Sequence, residues 1–140
     1  MSGNLNIEEV KRWKDAILKS SQLIRGHLEK LDNSKNEEAK IHVTYVKQEI
    51  ETIFRYLSDL RGYADNETKE FIDTLNQSGI IFLGMMDIEF FKDNRSLITR
   101  WSGEANTISI EVSKPHWMIG GGIKARLYFL ELFLEAHRSH

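Results

Sequence analysis

The chain has 140 residues, 41% of them hydrophobic and 29% charged, the composition of one folded domain able to bury a core without disulfides or metals. It has no cysteine, which excludes a disulfide framework, a thiolate nucleophile and a zinc site built on Cys ligands. A formal net charge of −2 lacks the basic excess that duplex-binding domains carry, so duplex nucleic acid is not an expected partner.

No apolar run approaches the ~20 residues of a membrane span. Met1 to Leu5 lack the basic and apolar regions of a secretory leader. The expectation is a single domain over 1–140, in the cytoplasm and off the membrane.

Asn6 with Glu9 forms a capping-box pattern at the first helix start. Ile7, Val10, Trp13, Ile17, Ile24, Leu28 and Leu31 then recur at helical steps, interrupted by Ser20 and Ser21. Asp32-Asn33-Ser34 turns the chain, and Ser34 with Glu37 repeats the capping signal. Ala39, Val43, Val46, Ile50, Ile53, Leu57, Leu60 and Ala64 follow in alternating steps of four and three. That 3.5-residue period is the mark of knobs-into-holes packing. The connection is short, so the two helices pair as an antiparallel hairpin over 6–63.

Gly62 reads as a C-cap, and Asp65 or Asn66 as the start of a short helix to about Gln77, closed by Gly79. Beyond it the pattern suggests strands. Ile80 to Phe91 is apolar and aromatic, with Asp87 and Glu89 on one face at period two. Lys92 to Arg95 reads as a turn, Ser96 to Trp101 as a strand, and Ser102 to Asn106 as a second turn. Thr107 to Val112 alternates, with Ile108, Ile110 and Val112 inward and Glu111 outward. A final helix runs to about His137, apolar on most faces and therefore buried on most faces, which points to a homo-oligomer. The expected fold class is α+β: the hairpin, a short third helix, a three-stranded antiparallel sheet and a C-terminal helix, with the α+β part at 64–140.

Three constellations could carry function. Gly120, Gly121 and Gly122 lead into a helix bearing Lys124 and Arg126, an arrangement able to cradle phosphate, although it is neither a P-loop nor a dinucleotide fingerprint. The plain alternative is a loop before a terminal helix. Arg25 and His27 lie on the first helix, where subunits meeting could hold an anion. The alternative is a solvated Arg and a half-buried His beside Leu28. Phe82, Phe90, Phe91, Trp101 and Trp117, among Arg95, Arg100, His116 and Arg126, could stack a base while cations meet phosphate. Phe82 and Phe90 read more simply as core, and Trp117 is the better ligand contact. Asp87, Glu89 and Glu111 could form an acid–base pair only if sunk in a cleft. No histidine spacing suggests a metal, and no nucleophile has a catalytic context. No catalytic residue, cofactor or metal is expected.

Two long antiparallel helices, Arg25 and His27 on the first, then a small sheet and a terminal helix resemble the layout of the type 1 phage-encoded anti-Thoeris proteins. That anti-defence family is non-enzymatic and oligomeric, and sequesters cyclic ADP-ribose isomers and related cyclic nucleotides between subunits. The resemblance implies ligand contacts at Phe82, Arg100, Arg126 and the loop from His116 to Gly122, with Arg25 and His27 at a second site. The expected function is an oligomeric, nucleotide-binding sequestration protein for an anionic, phosphorylated small molecule. The alternative is a protein-interaction module, such as an antitoxin, inhibitor or adaptor, that uses the hairpin as its surface.

Overall fold

The structure, a computed structural model, describes residues 7–113 and 128–138. These residues hold six helices: α1 (Ile7–Leu31), α2 (Asn36–Arg61), α3 (Asn66–Gly84), α4 (Ile88–Asp93), α5 (Arg95–Ser113) and α6 (Tyr128–Arg138). The four long ones form an up-down-up-down bundle in which α1 packs on α2 and α5, and α3 packs on α2 and α5. Short α4 spans the end between α3 and α5, and α6 lies against α3.

The hairpin is as its spacing implies. Val10, Ile17, Ile24, Leu28 and Leu31 of α1 are buried, and so is every expected heptad position of α2 from Ala39 to Leu60. Ser20 and Ser21 take buried positions on the same stripe. Each is satisfied there: Ser20 donates to Glu49 Oε1 at 2.9 Å and Ser21 to Ser102 Oγ at 3.1 Å. Ser34 does not cap α2. Its hydroxyl turns back to the Lys30 carbonyl at 2.7 Å, and Lys35 occupies the N-cap with no side-chain hydrogen bond. Asn36 then adopts φ +54°, a left-handed conformation that asparagine tolerates better than most residues. Asp65 does cap α3, accepting from the Thr68 N–H at 2.8 Å, and that bond holds its carboxyl below the usual range. Asn6 lies outside the described residues.

The expected α+β class is incorrect: no strand occurs among the described residues, and the three segments read as a sheet are helical apart from the connection at 85–87 between α3 and α4. Helix α3 runs through Gly79 as far as Gly84, with Thr68, Phe71, Ile72, Leu75, Ser78 and Phe82 buried at three- and four-residue steps. Gly79 is therefore no cap. It is a buried helical position where an added Cβ would lie 3.1 Å from Trp101 Cζ2. The chain does turn near Asn94, but between two helices.

Helix α5 absorbs both remaining strands and the turn between them. Ile98, Trp101, Ala105, Ile108 and Val112 point inward in steps of three and four. Ile110 is 41% exposed and Glu111 only 7% exposed, the reverse of a strand's alternation. Ile108 and Val112 satisfy both periods, and exposed Ile110 with buried Ser109 and Glu111 separates them. Packing against α1 and α3 decides for helix.

Helix α6 buries Leu130 and Leu134 and packs Phe129 and Phe133 on the core. Phe133 meets Phe82 at 5.3 Å and Phe90 at 6.4 Å between ring centroids, so its cover comes from this same chain. Leu132 is left 69% exposed on the outer face.

Candidate functional site

Helices α1 and α5 run antiparallel, with Ser21 opposite Ser102 and Asp32 opposite Arg95. At the crossing both carry small side chains. Toward the C-terminal end of α1 the residues lengthen and the helices leave a groove between them. Arg25 and Glu29, one turn apart on α1, form one wall. Arg95, Ser96, Thr99 and Arg100 of α5 form the other, over Leu28, and the open groove between them has a volume of about 370 Å³.

The electrostatics favour an anion. Three guanidinium groups face two carboxylates, Glu29 in the groove and Asp32 at its end, which leaves one positive charge in excess. Arg95 and Ser96 also begin α5, whose first turn has no acidic residue and whose peptide dipoles present their positive end there. The three arginines are held differently. Arg95 pairs with Asp32. The Arg100 guanidinium carbon lies 3.9 Å from the centroid of the Phe129 ring of α6. Arg25 has no ion pair among the described residues.

Two candidates expected at separate sites thus meet: Arg25 and Arg100 line one groove. His27 does not join them. It turns to α2, with Nδ1 at 3.0 Å from His42 Nδ1 and its ring stacked on Tyr45 at 4.8 Å. Burial pushes its pKa down, and the neighbouring His42 and Lys30 add to this while Glu49 opposes it.

Phe82 and Trp101 are fully buried. The two rings meet edge to face at 5.8 Å, and the indole N–H donates to the Leu75 carbonyl at 2.8 Å. His116, Trp117, Gly120, Gly121, Gly122, Lys124 and Arg126 lie outside the described residues. Asp87 and Glu89 share no strand face, because Asp87 caps α4 by accepting from the Glu89 N–H at 3.0 Å.

Glu29, Ser96 and Thr99 join the groove without having been singled out by the sequence pattern. The signal for the last two was the spacing of Arg95, Ser96, Thr99 and Arg100, which shares one face only in a helix.

A wider depression of about 760 Å³ lies between the start of α2 and α4, where Lys35, Lys40 and Lys92 are matched by Glu37, Asp87 and Glu89, so it has no excess charge for an anion. Among the described residues no group of three or more His, Asp or Glu could hold a metal ion, and no helix is long and apolar enough to cross a membrane. No protein-family model matches the chain, nor does any curated protein or any solved structure.

Proposed function

We propose that this protein is a non-catalytic binding protein that captures a phosphorylated, nucleotide-like small molecule in the groove between α1 and α5. The observation that carries the reading is the meeting of Arg25, Arg95 and Arg100 on one groove with a single positive charge in excess. Guanidinium is the side-chain group best matched to phosphate, because its planar fork donates two parallel hydrogen bonds. An excess of one charge suits a phosphodiester monoanion, such as that of a cyclic nucleotide, better than a polyphosphate. The volume of about 370 Å³ lies at the lower end of the roughly 300–1,000 Å³ of small-molecule sites. Ser96 and Thr99 add hydroxyl groups for a sugar or phosphate oxygen. The sheet in the anti-Thoeris layout is absent among the described residues, so the reading rests on the groove and not on that likeness.

The test is a thermal-shift screen with cyclic and linear nucleotides, followed by calorimetric titration of Arg25→Gln and Arg100→Gln. A probe at 100 times its Kd that binds only the folded state adds about 2.7 kcal/mol. Each substitution removes a charge-assisted hydrogen bond worth roughly 1.5–3 kcal/mol, so affinity is expected to fall about 10- to 150-fold. Recovery of the intact nucleotide after heat denaturation separates capture from turnover.

A second reading, the interaction module, is favoured by one observation: the outer face of the hairpin leaves Leu23, Ile41 and Tyr45 exposed. No shift with any nucleotide, together with a co-purifying protein, would decide for it.

A further inference from the structure

We propose that Phe129 of α6 is a positioning residue for anion capture: its ring holds the Arg100 guanidinium as a wall of the α1–α5 groove, so that an anion in the groove and the docking of α6 stabilise each other. This rests on the reading of the groove as an anion site.

Arg100 is exposed on α5 and makes no ion pair among the described residues. Left alone, its side chain would sample many rotamers, and ordering it would weaken any anion it bound. The Phe129 ring supplies that order, with the guanidinium carbon 3.9 Å from its centroid.

An aromatic face suits this task in a way a carboxylate does not. A carboxylate would neutralise the charge and occupy the N–H donors, as Asp32 does in part for Arg95. An aromatic ring attracts the cation without neutralising it and accepts no conventional hydrogen bond from its N–H groups, so both the charge and those donors stay available to an anion. The ring is itself anchored. Phe129 packs on the core beside fully buried Leu130, one turn before Phe133, whose ring meets Phe82.

Linkage then sets the sign. If docked α6 raises the affinity for an anion, a bound anion must favour docked α6 by the same factor. The terminal helix becomes a latch that closes more firmly on an occupied groove.

The experiment uses the full chain with cyclic AMP and inorganic phosphate as probes, in calorimetric titration and in hydrogen exchange of the α6 amides. Phe129→Leu is expected to weaken binding about two- to five-fold, equivalent to the ~0.5–1 kcal/mol of a cation–π contact at an exposed site. In an Arg100→Gln background the same substitution is expected to change nothing, since the group it positions has gone. Phe129→Trp offers a better cation–π face and is expected to tighten binding, a gain that simple disruption of α6 would not produce. Either probe at saturation is expected to slow exchange in α6 of the wild type and not of Arg100→Gln.

Wild-type affinity in Phe129→Leu, an equal loss with Arg100 already replaced, or α6 exchange that a saturating probe leaves unchanged or speeds up would overturn the inference. In those cases the groove reading still stands if Arg25→Gln and Arg100→Gln weaken binding. Wild-type protein that binds neither probe, nor any nucleotide of the screen, overturns both.

Discussion

Replacing Gly79 by alanine places a methyl group 3.1 Å from Trp101 Cζ2, with Ile50 Cγ2 and Phe54 Cδ2 each at 3.8 Å. The last two distances are ordinary contacts, and the first is too short. Trp101 has little room to retreat, because its indole N–H is bonded to the Leu75 carbonyl at 2.8 Å and its ring lies against Phe82. Alanine in mid-helix gains about 1 kcal/mol over glycine. Overpacking a full core costs about 1–3 kcal/mol. The expected balance is a loss of about 1 kcal/mol, or roughly 3–5 °C in Tm for a chain of this size.

Gly26 and Gly103 are the internal controls. Both are helical, and a Cβ at either meets nothing within 4 Å, so Gly26→Ala and Gly103→Ala are each expected to gain about 0.5–1 kcal/mol. Thermal and urea unfolding followed by circular dichroism measures all three variants. Stabilisation by Gly79→Ala equal to that of the controls would refute the seating of Trp101 on α3. Marked destabilisation by Gly103→Ala would mean that Ser102 to Asn106 is a turn after all.

Other outcomes follow from polar groups that are buried or half-buried. His27 has its pKa lowered chiefly by burial, so below about 6.5 the unfolded chain takes up a proton that the folded chain resists. Stability is therefore expected to hold above that value and to decline as the pH falls below it. Urea unfolding at pH 7.5 and pH 5.0 should show the decline, and His27→Gln should flatten it; equal stability of the wild type at both would count against the half-buried His27–His42 contact. Ser21 donates to Ser102 Oγ, while Ser102 donates onward to the Thr99 carbonyl at 2.8 Å. Ser102→Ala strands the buried Ser21 hydroxyl and is expected to cost about 1–3 kcal/mol, whereas Ser21→Ala leaves Ser102 bonded and should cost under about 1 kcal/mol. Equal losses in denaturant unfolding would show that the donor direction is wrong.

The hairpin was legible because its pattern admits one period. From Ala39 to Leu60 seven apolar residues follow one another in unbroken steps of four and three, and the competing alternation of Ile41, Val43 and Tyr45 ends within six residues. Asp65 was legible as a cap because its carboxylate acts on an N–H three residues away. These are local facts, settled within a turn or two of one helix.

From Ile80 to Val112 the local facts pointed two ways, and contacts distant in sequence chose between them. Gly79 and Gly103 look like punctuation in the chain. One is the seat of an indole that arrives 22 residues later, and the other is a plain helical position. Thr107, Ser109 and Ile110 are indifferent helix formers, so the burial of Ile98, Trp101, Ala105 and Ile108 against α1 and α3 decided the matter. The groove belongs to the same class. Arg25 lies some 70 residues before Arg95 and Arg100, and nothing in its own neighbourhood singles it out. Only the antiparallel packing of α1 on α5, pinned by Ser21–Ser102 and Asp32–Arg95, brings the three charges to one place. Period and capping act over one turn of chain and can be read from it, whereas a shared wall between two helices exists only once both are packed.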